Sequence, residues 1–188
     1  MKLNLKYDIN ICCKIVLQEQ LDMLELSYTI NGLGEIELKE TIVDEKYKTL
    51  EAALNKYGIE IIKNPKQVLT QKIKDAIVEM VFMKETLHTK KNSAFLADRL
   101  NKSYNYLADV FSEETLTSIQ SYIILQRIER TKQEIIEGEL TLTEIAWKLK
   151  YSSAAHLSNE FKKITGLSPT SFQQILESRK KTDFTSQE

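Results

Sequence analysis

Residues 139–174 read ELTLTEIAWKLKYSSAAHLSNEFKKITGLSPTSFQQ, and the fold turns on how this stretch is read. Thr141 is followed three residues on by Glu144, a spacing at which each side chain can satisfy the other's unpaired backbone amide, so a helix is expected to start there. Ile145, Ala146 and Leu149 fall on one side of it. After Lys150 and Tyr151, the pair Ser152 and Ser153 offers a second N-cap, for a helix running to about Ile164. The turn is too short for the two helices to lie antiparallel. They must cross steeply, and Ala146 supplies the small side chain that a close crossing needs. Leu157 and Phe161, four apart, give the second helix its buried stripe. The pattern is a helix-turn-helix whose second helix has a free outer face carrying Ala154, Ala155, Ser158, Asn159 and Lys162.

An earlier stretch repeats it. In FLADRLNKSYNYLADVFSEE (Phe95 to Glu114), Leu96, Ala97, Leu100, Leu107 and Phe111 answer Ile145, Ala146, Leu149, Leu157 and Phe161. The offset is 49 residues up to the turn and 50 after it, as a duplicated motif with one extra turn residue requires. Between the copies, Thr117 to Glu137 contains no Gly or Pro, has apolar residues at helical spacing and meets Gly138, which predicts one long connecting helix with a glycine stop.

The order LADRL, SYNYLADVF, QSYIILQRIERTKQEIIEGELTLTEIAWKLKYSSAAHLSNEFKKITGLSPTSFQQ resembles the DNA-binding domain of the AraC/XylS family of bacterial transcription regulators. The resemblance covers Val68 to Ile175 and closes on G-L-S-P-x-x-F, Gly166 to Phe172, where Ser168 caps and Pro169 opens a final helix. It implies two helix-turn-helix units on one face of DNA, their recognition helices roughly one helical turn, ~34 Å, apart. It also implies base contact from the exposed start of each recognition helix. In the second unit those positions are Ser153, Ala154, Ala155, His156 and Asn159; in the first, expected to read more weakly, they are Tyr104, Asn105, Ala108 and Asp109. Asn159 can pair bidentately with adenine and an Ala methyl can touch a thymine methyl. Asp109, with Glu113 and Glu114 a turn later, repels phosphate, which makes the second unit the stronger reader. Lys102, Lys150, Ser152, Lys162 and Lys163 cluster near both turns as candidate phosphate contacts.

Charge agrees with that division of labour. The 188 residues sum to −1, but residues 1–62 carry −4, residues 63–181 carry +5 and the last seven carry −2. No run of about 18 apolar residues could span a bilayer, and MKLNLKYDINICCK does not sustain the apolar core of a signal peptide, so a cytoplasmic protein with no membrane partner is expected.

The first sixty residues have another rhythm. Leu3, Leu5, Tyr7 and Ile9 alternate with polar residues and predict a strand; Cys13 to Leu24 predicts a helix. Glu25 to Ile30 and Glu35 to Glu40 flank Asn31-Gly32-Leu33-Gly34 as two strands of a hairpin. Asp44 to Tyr57 predicts a second helix stopped at Gly58, and Ile59, Ile61 and Ile62 a closing strand. The expected architecture is therefore α+β, a ferredoxin-like βαββαβ domain over 1–62, followed after a linker at 63–66 by an all-α domain over 67–177, with 178–188 a disordered tail. Val68 to Met83 should open the helical domain with Leu69, Ile73, Ile77, Met80 and Met83 inward, and Leu87 to Asn92 should be a basic loop.

The first domain is similar to the heavy-metal-associated domains of copper chaperones and metal-transport ATPases. Where those carry Met-x-Cys-x-x-Cys, this chain has Ile11-Cys12-Cys13. Adjacent cysteines point apart and rarely close a metal cage, so no cofactor is expected, with Cys12 and Cys13 the only candidate ligands for a soft metal. His88 and His156 stand at no ligand spacing. No Gly-rich phosphate loop or nucleophile-histidine pairing points to an enzyme. The reading is a sequence-specific regulator whose partners are double-stranded DNA and, as open candidates, RNA polymerase, a small-molecule or protein effector at the first domain, and a second copy of the chain. Its competitor is a soft-metal or thiol sensor or carrier working through Cys12 and Cys13, with a degenerate helix-turn-helix domain kept for protein contacts.

Overall fold

A computed structural model describes residues 2–3, 5, 7–31, 34–82 and 91–185, with side chains through Ser178. The chain divides into two compact units, residues 1–75 and 76–188.

In the first unit, α1 (Ile9–Met23) and α2 (Asp44–Asn55) bracket a two-stranded antiparallel hairpin, β1 (Tyr28–Ile30) and β2 (Ile36–Leu38). Tyr28 pairs with Leu38 and Ile30 with Ile36, so these four share one half-buried face while Thr29 and Glu37 face out. Leu17, Leu21, Leu50 and Leu54 form the core, flanked by Leu24, Leu26, Tyr28, Ile36, Leu38, Ile42, Ile59 and Ile61. Lys46 Nζ donates to Leu24 O (3.0 Å) and Lys72 of α3 (Pro65–Phe82) pairs with Glu35 at 2.7 Å.

This overturns the ferredoxin-like βαββαβ expectation, and with it the likeness to heavy-metal-associated domains. The alternating Leu3, Leu5 and Tyr7 form no strand; they are exposed, Leu5 by 84%. Instead Asp8 caps a helix, accepting from the N–H of Asn10 (2.9 Å) and Ile11 (3.2 Å). A period-two pattern makes a strand only where a neighbour accepts its hydrogen bonds, and none is placed beside it among the described residues. Residues 59–62 are likewise unpaired. With two of four strands missing, no four-stranded sheet can form. Cys12 and Cys13 fall in the first two turns of α1, half-buried, rather than in a strand-to-helix loop.

The second unit is helical among its described residues. The part of α3 from 76 to 82 is followed by α4 (Asn92–Leu100), α5 (Tyr104–Thr115), α6 (Ile119–Glu137), α7 (Leu142–Lys148), α8 (Ala154–Thr165) and α9 (Pro169–Thr185). Ile73 and Ile77 of α3 are fully buried and Leu69 and Met80 half-buried; Met83 and residues 87–90 of the expected basic loop lie outside the described residues, as do Gly32, Leu33 and His88. The last helix is assigned through Thr185, past Ser178, where a disordered tail was expected to begin. Among the described residues no helix is long and apolar enough to cross a membrane.

The duplication extends further than the helix-turn-helix. α5 ends at Leu116 in the left-handed region (φ 56°) and α8 at Gly166 (φ 79°), fifty positions apart. Thr115 Oγ1 donates to Phe111 O at 2.6 Å, and Thr165 Oγ1 to Phe161 O at 2.7 Å. Ser118 and Ser168 each accept from the N–H three residues on, both at 3.0 Å. Phe111 meets Tyr122 at 5.5 Å between ring centroids, and Phe161 meets Phe172 at 5.6 Å. The repeated unit is therefore helix, turn, helix, capped turn and the opening of a third helix. In the sequence it shows as T-L-T-S-I-Q-S-Y (115–122) against T-G-L-S-P-T-S-F (165–172).

The second copy packs Ile145, Ala146, Leu149, Leu157 and Phe161 around Ile128 of α6. Glu134 of the same helix is buried, 2% exposed, and both Arg130 and Lys148 (2.7 Å) reach its Oε1, joining α6 to α7. Removing one partner of a buried pair strands the rest without compensation, so Glu134→Ala should cost about 3 kcal/mol in denaturant unfolding. The opposite sign is expected at Leu116, 93% exposed with its Cβ in the left-handed region. Leu116→Gly, copying Gly166, should raise stability by roughly 0.5–1 kcal/mol, the steric relief outweighing glycine's entropy.

Candidate nucleic-acid interface

The second helix of each helix-turn-helix starts from a serine. Ser103 Oγ accepts from Tyr106 N (3.4 Å) at α5, and Ser153 Oγ from His156 N (3.1 Å) at α8. Before each cap the chain passes through a left-handed residue, Asn101 (φ 51°) or Lys150 (φ 60°), forty-nine positions apart. The next N–H, of Lys102 or Tyr151, then returns to Ala97 O (3.2 Å) or Ala146 O (2.8 Å). The equivalence therefore breaks between Tyr151 and Ser153, and the extra turn residue is Ser152.

α7 is fixed by the capping box read in the sequence: Thr141 N donates to Glu144 Oε2 at 2.7 Å and Glu144 N to Thr141 Oγ1 at 3.3 Å. The Thr141 hydroxyl donates to the same carboxylate (2.7 Å). These bonds, the side-chain one first, hold the Glu144 carboxyl below its ordinary 4.5.

On α8, Ala155, His156, Asn159, Lys162 and Lys163 are exposed, and Ser153 is exposed at its start. Ala154 is not freely outward: it is half-buried and packs on the core of the second copy, and Ser158 is also half-buried. On α5, Asn105 and Asp109 are exposed, whereas Tyr104 and Ala108 are half-buried. At equivalent positions the outward faces differ in charge. Asn105, Tyr106, Asp109, Ser112 and Glu113 stand where α8 has Ala155, His156, Asn159, Lys162 and Lys163. One scaffold thus presents an acidic face in one copy and a basic face in the other.

Expected phosphate contacts have neighbours in their own chain, Lys102 and Ser152 among them. Lys102 Nζ lies 5.4 Å from the Tyr106 ring centroid, a cation–π placement, and Ser152 Oγ lies 3.0 Å from His156 Nδ1. Lys162 and Lys163 occupy the last turn of α8, and Lys150 forms the turn.

Sequence reasoning missed Arg127, Tyr151 and Trp147. Arg127 of α6 places its guanidinium 5.7 Å from the centroid of the buried Tyr151 ring, and that ring and the His156 ring lie 5.2 Å apart between centroids with their planes at 90°. Burial, then the nearby Glu160 carboxylate, raises the Tyr151 hydroxyl, with Arg127 opposing. The Lys150 ammonium is lowered by burial and then by the charge of Arg127, so two cations converge beside this turn. Trp147, the chain's one tryptophan, is 76% exposed on α7. Only its position beside the buried Ile145-Ala146 pair could have signalled that.

Residues 96–175 match the family model described as a helix-turn-helix domain. The chain is 32% identical over 79 residues, 42% of its length, to an uncharacterized HTH-type transcriptional regulator, YtdP, of Bacillus subtilis, covering 10% of that protein. It is 26% identical over 140 residues, 72% of its length, to the Msm operon regulatory protein of Streptococcus mutans, covering 48% of it. A crystal structure of a DNA-binding transcriptional dual regulator from Escherichia coli K-12 aligns with TM-score 0.49 and 20% identity, over 56% of this chain and 93% of that one. The chain thus spans from a tenth to about half the length of these two curated relatives. Residues 96–175 carry a helix-turn-helix domain.

The capping box makes a pH prediction. A carboxyl lowered by folding contributes stability that is present above its unfolded value near 4.5 and is lost as pH falls through the folded one. Urea midpoints taken at roughly pH 7 and pH 3 should fall further for the wild type than for Glu144→Gln, which keeps a capping side chain but does not titrate there.

Proposed function

We propose that the chain is a sequence-specific DNA-binding transcription regulator of the AraC/XylS type, and that α8 is the helix that reads the major groove. The observation that carries this is the outward face of α8: Asn159 and Ala155 flanked by Lys162 and Lys163, on a helix start capped by Ser153 and backed by a closed core. Asparagine reads adenine edges, and lysine holds phosphate without reading it. The family match over 96–175 and the regulator names of the B. subtilis and S. mutans relatives support the same reading.

α5 is the weaker reader. Its exposed Asp109 opposes a phosphate-lined groove, and is tolerated there when paired or when it accepts from cytosine N4. The base-reading set is then Ser153, Ala155, His156 and Asn159 of the second copy, with Ala154 limited to its exposed fraction. Lys150, Lys162 and Lys163 hold the backbone. A regulator of this kind acts in the cytoplasm, without a catalytic step or cofactor. Its further partners are RNA polymerase, an effector at residues 1–62 and a second copy of the chain.

The test is selection of duplexes from a random library by the full chain, with binding read from Trp147 fluorescence. An enriched motif is expected, and Asn159→Ala should relax one of its positions at a cost of about 1–3 kcal/mol. Lys162→Ala and Lys163→Ala should each weaken all sequences alike and lower the salt slope by about one. Enrichment no better than that of a scrambled pool at moderate salt would sink the proposal.

A further inference from the structure

Ser152 is the one turn residue of the second copy with no counterpart in the first. The duplicated hydrogen bonds pair Lys102 with Tyr151 and Ser103 with Ser153, leaving Ser152 between them. Its hydroxyl lies 3.0 Å from Nδ1 of His156, an exposed residue in the first turn of α8. The same histidine is held at its backbone, whose N–H donates to Ser153 Oγ at 3.1 Å. Its ring stands edge-on to Tyr151, which is buried and pinned by a 2.8 Å bond from its own N–H to Ala146 O. Exposed side chains ordinarily keep their rotamer freedom. Here an exposed imidazole is constrained at its main chain, at one ring nitrogen and at one ring edge. The equivalent residue of the first copy is Tyr106, held at its backbone by Ser103 and beside Lys102, and the first copy has no counterpart of Ser152 to meet its ring.

We propose that Ser152 is a positioning residue that acts through His156 rather than a phosphate ligand, and that it fixes the imidazole so that Nε2–H donates to an acceptor on the wall of the major groove. This rests on the reading of α8 as the recognition helix. Where Nδ1 takes the Ser152 hydroxyl proton, the neutral ring carries its own proton on Nε2 and presents it outward. Among the described residues Nε2 has no partner. The acceptors that duplex DNA offers at this depth are phosphate oxygens and the edges of guanine, adenine N7 and thymine O4.

The experiment is a double-variant cycle on the selected duplex, using the full chain. Ser152→Ala is expected to weaken binding about fivefold to tenfold, the worth of one hydrogen bond, and Ser152→Thr to restore it. In a His156→Ala background Ser152→Ala should add almost nothing, because its only route to DNA is gone. Losses that multiply in the double variant would overturn the proposal, since Ser152 would then touch DNA itself. Relaxation of one motif position by His156→Ala assigns Nε2 to a base, and a uniform loss across sequences assigns it to phosphate; either supports the donor role. Nitrogen-15 NMR of the free chain gives a reading independent of DNA. The Nδ1 resonance of wild type and Ser152→Thr should differ from that of Ser152→Ala, and coincidence of all three would overturn the positioning contact. If wild type enriches no duplex while the Nδ1 difference persists, the DNA reading has failed and the outward role of Nε2 falls with it, while the contact stands.

Discussion

Glu134 is the constraint on which the arrangement of the second copy depends. A carboxylate in that position would be prohibitively costly alone, and it is tolerated because Arg130, one turn back, and Lys148, from α7, both come to the same oxygen. α7 therefore cannot slide or rotate on α6 without uncovering a buried charge. Once α7 is fixed, Tyr151 returns its N–H to Ala146 and Leu157 and Phe161 close on Ile128, so the axis of α8 follows from the pair on the other side of the core. The ion pair adds a directional constraint that an apolar contact lacks.

The copies show which parts of this design are scaffold. Left-handed turn residues, serine caps, threonine back-bonds and aromatic pairs recur at offsets of 49 and 50 with distances that agree within a few tenths of an ångström. The outward residues do not recur, and their charge reverses. A shared frame with divergent faces separates what holds the second helix of each unit from what that helix presents, since function lives in the site rather than in the fold that carries it.

What was legible in the sequence follows the same line. The long helix, both recognition helices and the Thr141–Glu144 box could be read because caps and a 3.6-residue period are local and repeat. Leu3 to Ile9 misled because alternation reports only that a segment would suit a half-buried strand, while the decision belongs to a partner strand and to Asp8, whose carboxylate caps a helix two residues later. The turns at Asn101 and Lys150 were silent because neither is glycine, so nothing in the sequence announced a positive φ. The contact of Ser152 with His156, four residues on, was not legible because it lies across a helix start, where spacing does not say which way a side chain turns.

The turn before α8 carries costs that a globular core alone would not ask for. Lys150 is a β-carbon-bearing residue in the left-handed region, and its ammonium sits close enough to Arg127 for that charge to oppose its own. Arg127 is in turn lowered by burial, with Tyr151 and Glu160 compensating only in part. Backbone outliers and like charges persist where the surrounding structure over-determines them, and here the buried Tyr151 and the Glu134 clamp do so.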